Sequence, residues 1–219
     1  ASSRFHKDRR WGSFWSFGAG WLINHESWFN AYWVDMLKLK ASAGSQGNDG
    51  IPDYLYVDTY EISNNEGEVA VAFRTKGNPD ITWEKNFNFN AGVDFELFAG
   101  YLSGSIEYFS RRTTDLLYSK DVPLSSGNPT GYYPVNVGSI VNNGLEVTLD
   151  GIIMNREDLL WTWNLNLSHY RNRITALDPS VSEKGIMGSN YIYKVGGSLY
   201  EAYMRKFAGV NHENGKAQW

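Results

Sequence analysis

One segment, residues 81–97 (ITWEKNFNFNAGVDFEL), alternates between two kinds of side chain over its whole length. Its odd positions are apolar except for Lys85, and its even positions are all polar or glycine. Because alternate residues of a strand share a face, the segment predicts a β-strand with one apolar and one polar face. Ordinary strands have about 5–6 residues, so this one is unusually long.

The unbroken apolar face, residues 87–97, rises about 36 Å at ~3.3 Å per residue. Tilted by ~40°, it covers about 27 Å of height, close to the ~25 Å apolar band of a transmembrane β-barrel. A strand in a soluble sandwich does not need this length. We therefore predict an all-β fold, a segment of a transmembrane antiparallel β-barrel.

The same alternation recurs along the chain and predicts further strands. They cover approximately residues 11–23, 36–46, 102–111, 145–153 and 161–167, with a weaker strand at 198–210. Residues 25–35 break the period and predict a short helix or turn. Residues 47–80 predict a long loop with its own hairpin, and 99–100 a tight turn.

The predicted connections alternate in length. Short ones fall at 24–35, 99–100, 154–158 and 211–215, and long ones at 47–80, 118–140 and 176–197. Outer-membrane barrels have short periplasmic turns and long extracellular loops. The alternation therefore predicts that the first set is periplasmic and the second extracellular.

Four basic residues interrupt the apolar parity: Lys85, His169, Arg171 and Arg173. All lie near the predicted extracellular ends of their strands, where a charge costs about 0–1 kcal/mol against ~2–4 at the midplane. They either reach the interface and meet lipopolysaccharide phosphates, or mark strands that fray into polar loops. The pattern does not choose between the two.

Composition narrows the possible functions. Aromatic residues make up 16% of the 219 residues and charged residues 20%, which suits interfacial aromatic girdles. A carbohydrate-binding sandwich would share this bias. The net charge of −4 argues against nucleic-acid binding, and the absence of cysteine excludes disulfides and thiolate metal sites. No apolar run approaches the ~18 residues of a transmembrane helix.

No catalytic residue, metal site or cofactor is predicted. The four histidines are scattered without ligand spacing. Acidic pairs such as Glu84 with Asp94, or Glu107 with Glu146, imitate a glycosidase pair, but they have the parity of a barrel lumen, where polar residues are expected. We therefore expect a protein that is not an enzyme.

Ordered short motifs along almost the whole chain resemble the SusC/RagA-type, TonB-linked outer-membrane transporters of Bacteroidota. They include Arg10-Trp11-Gly12, Leu37-Lys38-Leu39-Lys40-Ala41-Ser42, Trp83-Glu84-Lys85, Glu107-Tyr108-Phe109, Thr114-Asp115-Leu116-Leu117, Asn136-Val137-Gly138-Ser139-Ile140, Gly144-Leu145-Glu146 and Gly209-Val210-Asn211. Each motif is weak alone, and their order and spacing are specific.

The resemblance implies that residues 1–219 belong to the C-terminal part of a 22-stranded barrel, without its plug domain, TonB box and last strands. It implies a multi-pass protein of a Gram-negative outer membrane that imports oligosaccharides or peptides. TonB would supply the energy and a SusD-like surface lipoprotein would cap the barrel. The alternatives are a soluble aromatic-rich β-sandwich that binds glycans and an outer-membrane barrel enzyme.

Two sets of residues are candidates for function in this setting. Loop tyrosines combine a flat apolar ring with a hydroxyl, which suits contact with sugar or peptide: Tyr54, Tyr56, Tyr132, Tyr133, Tyr191 and Tyr193. The predicted lumen-facing set would hold the plug through hydrogen bonds and ion pairs: Lys38, Lys40, Glu84, Asn86, Asn88, Asn90, Glu107 and Arg111. The tyrosines have an alternative role in packing the loops together.

Overall fold

Fourteen strands account for the regular structure in the computed structural model, which describes residues 1–65, 67–179, 181–188 and 190–219. Glu66, Ser180 and Ser189, within the predicted long loops, lie outside the described residues. In chain order the strands are β1 (Trp15–Leu22), β2 (Val34–Asn48), β3 (Thr59–Asn65), β4 (Glu68–Thr75), β5 (Glu84–Leu97), β6 (Leu102–Thr114), β7 (Leu117–Asp121), β8 (Tyr132–Asn136), β9 (Ser139–Arg156), β10 (Leu159–Ala176), β11 (Ile186–Met187), β12 (Ile192–Tyr193), β13 (Gly209–Val210) and β14 (Ala217–Gln218). Short 3-10 turns lie at Ile23–His25 and Leu124–Ser126. No helix in the described part of the chain is long and apolar enough to cross a membrane.

Six strands form the main sheet in the order β1-β2-β5-β6-β9-β10, with each pair antiparallel. The connections from β2 to β5 and from β6 to β9 are long and carry their own hairpins, β3–β4 and β7–β8. The connections from β5 to β6 and from β9 to β10 are tight turns. The predicted alternation of short and long connections is therefore confirmed for this sheet, which has a turn end and a loop end.

The register gives the sheet two chemically distinct faces. The apolar face carries the odd positions of β1, β2, β5, β9 and β10 and the even positions of β6. One row across it reads Trp21, Leu39, Val93, Ile106, Val147 and Leu167. The polar face carries the opposite set. Apolar-face side chains are open, with Phe87 40% and Leu167 56% exposed. This exposure disagrees with a sandwich, in which a second sheet would cover them.

Neighbouring turns pack together at the turn end. The predicted turn at 99–100 is confirmed: Phe98, Ala99 and Gly100 have φ of 58°, 55° and 79°, a left-handed conformation that glycine adopts most readily. The Phe98 ring stacks on Trp33 with centroids 5.7 Å apart. The Gly100 N–H donates to the Asp35 carboxylate at 3.2 Å. The β1–β2 connection and the β5–β6 turn thus support each other.

The predicted strand 81–97 is too long at its start, because the observed strand begins at Glu84. Ile81 and Trp83 are instead 1% and 9% exposed and belong to a loop-end core. This core consists of Phe5, Ile51, Ile81 and Trp83. The alternation of Ile81 and Trp83 therefore reflects packing in this loop-end core and not a position on the apolar face of the sheet.

The predicted strand at 198–210 is wrong. Residues 198–208 make only an isolated bridge, between Tyr191 and Ala202, and the following hairpin β13–β14 is separate from the main sheet. Local backbone hydrogen bonds replace the long ladder, such as Ile192 N–H to Glu201 C=O at 3.0 Å. The turn predicted at 211–215 therefore joins β13 to β14 and not two strands of the main sheet.

Candidate functional site

An ion-paired cluster crosses three neighbouring strands of the polar face. The Lys40 ammonium on β2 lies 2.8 Å from the Asp94 carboxylate on β5 and 3.0 Å from the Glu107 carboxylate on β6. All three side chains are partly buried, between 24% and 34% exposed. Lys40 thus bridges two carboxylates that would otherwise repel each other on adjacent strands.

Amide and hydroxyl side chains extend the polar face on both sides of this cluster. The contacts join neighbouring strands: Asn90 to Ser42 at 3.2 Å, Thr113 to Asn86 at 2.6 Å, Asn172 to Asn142 at 2.6 Å, Asn164 to Asp150 at 2.6 Å and Thr148 to Asn166 at 3.0 Å. Such side chains both donate and accept hydrogen bonds. The polar face therefore presents a mostly uncharged, exchangeable surface outside the Lys40 cluster.

Every residue of the predicted lumen-facing set lies on the polar face. Arg111 lies with its guanidinium carbon 5.4 Å from the centre of the Phe109 ring. Glu84 accepts hydrogen bonds from Asn48 at 3.1 Å and from the Leu117 N–H at 3.3 Å, which ties together the bases of two long loops. The contact of this set with a plug stays a prediction. The sequence did not single out Asp94 as the partner of Lys40, although its even position in β5 placed it on the same face.

Side-chain hydrogen bonds join the first and second of the three long loops. Asn136 on β8 exchanges two hydrogen bonds, both 2.8 Å, with the backbone of Thr82 and donates a third to the Asp115 carbonyl at 2.9 Å. Asn78, which is buried, donates to the Pro134 carbonyl at 2.8 Å. No sequence pattern predicts this bridge, because an Asn in a loop usually forms hydrogen bonds within its own turn.

The β7–β8 hairpin and the third loop enclose a cavity of about 140 Å³. Tyr118, Val137 and Val181 are among its lining residues, and a Lys120–Asp178 ion pair of 3.3 Å lies in its wall. Burial raises the pKa of the Tyr118 phenol, and Asp121 and Tyr193 add to that shift. The cavity is too small for an oligosaccharide or a peptide, so we assign it no ligand.

The six candidate tyrosines do not form one cluster. Tyr54 and Tyr56 lie in the first loop, with the Tyr56 ring 6.1 Å from the His6 ring. Tyr132 and Tyr133 lie on β8. Tyr191 packs against Tyr200 at 5.8 Å, and Tyr193 lies on β12. Within the described residues no ring contact joins any two of the six, so their role as ligand contacts stays a prediction. No group of three or more His, Asp or Glu able to hold a metal ion occurs there either.

An open, up-and-down antiparallel sheet with one tall apolar face and one polar face is a segment of a β-barrel wall. Residues 1–217 match the family described as TonB dependent receptor-like, beta-barrel, and the chain belongs to that family.

Two curated relatives match almost the whole chain. The TonB-dependent receptor SusC of Bacteroides thetaiotaomicron is 32% identical over 235 residues, which covers 98% of this chain and 23% of that protein. The TonB-dependent receptor P39 of Formosa agariphila is 32% identical over 214 residues, which covers 95% of this chain and 20% of that protein. The chain thus spans about a fifth to a quarter of the length of these relatives.

Solved structures give the same result. The RagAB peptide importer in its closed-closed state matches with a TM-score of 0.88 at 30% identity, over 98% of this chain and 24% of that one. In the open-open state the TM-score is 0.85 at the same identity. The described sheet and its loops therefore follow an arrangement already seen in a larger transporter.

Proposed function

We propose that this chain forms part of the wall of an outer-membrane transporter that imports oligosaccharides or peptides. TonB supplies the energy through a part of the protein outside residues 1–219, and a SusD-like surface lipoprotein caps the loop end. The observation that carries the proposal is the match of 98% of the chain to the RagAB peptide importer, with a TM-score of 0.88. The 32% identity to SusC supports the same assignment.

The two faces suit the two environments of an outer-membrane wall. The apolar face would contact the acyl chains of the membrane, where an exposed aromatic or aliphatic side chain carries no free-energy penalty. The polar face would line the lumen and contact the plug. The loop end, which contains all six candidate tyrosines, would face outside and meet the ligand before the plug moves.

In the proposed mechanism this part of the wall is a fixed support. The ion pairs of Lys40 with Asp94 and Glu107 are made within the wall, so a moving plug does not have to break them. The amides around the cluster offer neutral hydrogen bonds that a plug can exchange at small net cost, because a typical protein hydrogen bond contributes only about 0.5–1.5 kcal/mol. The plug can therefore be held and released repeatedly.

The geometry supports transport over the two alternatives. A soluble glycan-binding sandwich would cover the apolar face, and its side chains are open instead. A barrel hydrolase needs two carboxylates free to exchange protons. One member of each acidic pair considered above, Asp94 or Glu107, is instead engaged in an ion pair with Lys40. We therefore propose no catalytic residue in this chain.

The test uses the full-length protein in its own bacterium. A strain without the gene should lose uptake of either a labelled peptide mixture or a labelled oligosaccharide mixture, and restoring the gene should restore it. A strain without TonB should show the same loss. Purification from gently solubilised outer membranes should also recover a surface lipoprotein. Normal uptake of both mixtures in the deletion strain, or a protein found outside the outer membrane, would contradict the proposal.

A further inference from the structure

Three arginines lie together on the apolar face near the loop end: Arg112 on β6, and Arg171 and Arg173 on β10. The register pairs Arg112 with Val141 of β9 and pairs Val141 with Arg173, so the two arginines flank one residue. Two interstrand spacings separate them by about 10 Å, and Arg171 and Arg173 are about 7 Å apart along β10. We call these three residues the arginine patch.

The arginine patch has no internal counter-charge. Within the described residues none of its three side chains makes an ion pair or a hydrogen bond. The carboxylates of the adjoining strands all lie on the polar face: Asp94, Glu96, Glu107, Glu146 and Asp150. Lys85 differs, because it pairs with Asp115 at 3.5 Å. The patch therefore presents three positive charges to whatever covers the apolar face.

The patch is a local interruption of the apolar band and not the general end of it. One cross-strand row of the sheet contains Arg112 and Arg173, and the next contains Arg171. In these two rows β1 and β5 carry aromatic side chains: Trp15, Phe17, Phe87 and Phe89. If the sheet simply frayed into polar loops at this height, all strands would become polar together. The polar side chains of these rows are instead concentrated on β6, β9 and β10, and β2 contributes only Ser45. Ser110 on β6 donates a hydrogen bond to Asn143 on β9 at 2.8 Å, beside Arg171.

An apolar surface lies directly below the arginine patch. Moving towards the turn end, the next row contains Tyr108, Leu145 and His169, and the row after it contains Ile106, Val147 and Leu167, so this surface is apolar apart from His169. Cations above an apolar surface match an amphiphile with an anionic head and hydrocarbon chains. A protein partner would instead have to bury its own carboxylates and apolar side chains within the height of the membrane, which is costly.

We propose that the arginine patch binds the anionic head of a lipopolysaccharide molecule of the outer leaflet, with its acyl chains on the apolar rows below. This inference rests on the proposed outer-membrane location. Guanidinium groups bind phosphate oxygens in a bidentate manner, and three of them within about 10 Å suit a rigid saccharide head that carries several anionic groups. A phospholipid offers one phosphate and fits the patch less completely. The Asn143 amide is placed to donate to the same head.

The test measures lipid retained by the full-length protein purified in detergent, using three probes: lipopolysaccharide, the same lipopolysaccharide after chemical removal of phosphate, and phosphatidylglycerol. Native mass spectrometry counts the bound molecules. The wild-type protein should retain intact lipopolysaccharide and several-fold less of the other two. The variant Arg112→Gln/Arg171→Gln/Arg173→Gln should retain about tenfold less intact lipopolysaccharide, the size of effect expected from losing charge-assisted contacts.

The matched control is Lys38→Gln/Arg111→Gln/Arg156→Gln, which removes the same net charge from the polar face and from the turn end, where Arg156 ends β9. It should retain lipopolysaccharide as the wild type does. Equal losses in both variants, or wild-type protein that retains all three probes alike, would overturn the inference. If the arginine variant does not assemble, the wild-type comparison of intact and phosphate-free lipopolysaccharide decides alone. A protein absent from the outer membrane would instead contradict the proposed function.

Discussion

Asn136 and Thr82 are paired as two strand residues would be, although one partner is a side chain. The Thr82 N–H donates to Asn136 Oδ1 and the Asn136 Nδ2 donates to the Thr82 carbonyl, both at 2.8 Å. Thr82 lies just before β5 and Asn136 ends β8. One amide side chain therefore fixes the second loop against the entry of the central strand.

Replacing Asn136 with Leu should loosen the two loops without changing the sheet. It leaves the partly buried Thr82 N–H and C=O unpaired, which costs about 1–3 kcal/mol. We expect faster cleavage by an added protease at 77–83, which the Asn128 contacts do not reach, and an unchanged heat-modifiable barrel on gels. Asn128→Leu is the control, because Asn128 bonds only within its own loop. Equal cleavage of the two variants would argue against the bridge.

Lys40→Gln should destabilise the wall more than Lys38→Gln. Both residues lie on the polar face of β2, but only Lys40 joins Asp94 and Glu107. Because these groups are about one-third exposed, solvent screens them, and we expect a loss of about 1 kcal/mol in unfolding free energy. Urea unfolding of the full-length protein followed by tryptophan fluorescence measures it. In Lys40→Gln/Asp94→Asn the second change should cost less than it does alone, and simple additivity would contradict the cluster.

The two faces predict opposite tolerance to arginine. Val93→Arg or Phe95→Arg places a charge on the apolar face, where it costs about 2–4 kcal/mol near the membrane midplane. Asn88→Arg or Asn90→Arg places it on the polar face. The first pair should reduce folded protein in the outer-membrane fraction several-fold more than the second, as measured by heat-modifiable mobility. Similar yields for both pairs would remove the basis for assigning the faces.

The base of the β3–β4 hairpin should weaken in acid. The Gly77 N–H and then the Lys76 ammonium lower the pKa of the Asp58 carboxyl below its ordinary value of 3.8. A lowered pKa means that the stabilisation is present above the unfolded value and is lost as the pH falls through the folded value. Exchange of the Gly77 amide, corrected for its intrinsic rate, should therefore speed up below about pH 4. Asp58→Asn should remove most of this pH dependence, and unchanged behaviour would show that Asp58 does not hold the hairpin.

The sequence pattern predicted the sheet well, because alternation with a period of two over so many residues is typical of β-strands. It predicted which residues share a face and where the tight turns lie. It failed at Ile81 and Trp83, since alternating apolar residues satisfy a loop-end core as well as a membrane. It failed at residues 198–208, where local hydrogen bonds such as Ile192 N–H to Glu201 C=O form in place of a long strand ladder.

The candidate site was predictable by face and not by contact. Lys38 and Lys40 have the same parity, and the register between β2 and β5 places Lys38 opposite Asp94 and Lys40 opposite Gly92. Lys40 nevertheless reaches Asp94 at 2.8 Å, because Gly92 leaves room for a diagonal contact that the sequence pattern does not show. That register depends on the 35-residue stretch between the strands, residues 49–83. The sequence did not predict the arginine patch for a similar reason: Arg112 lies near Arg173 only because both of their strands pair with β9.

The loop-end core places one tryptophan in a different environment from the tryptophans of the apolar face. Trp83 is buried there, with its ring 5.2 Å from Phe5 and 5.3 Å from Phe14. Trp15, Trp21 and Trp163 are open on the apolar face. Brominated acyl chains would quench these three indoles more strongly than Trp83. The emission that remains would come from Trp83 and from the tryptophans that lie off the apolar face, so quenching would separate the membrane-facing indoles from the rest.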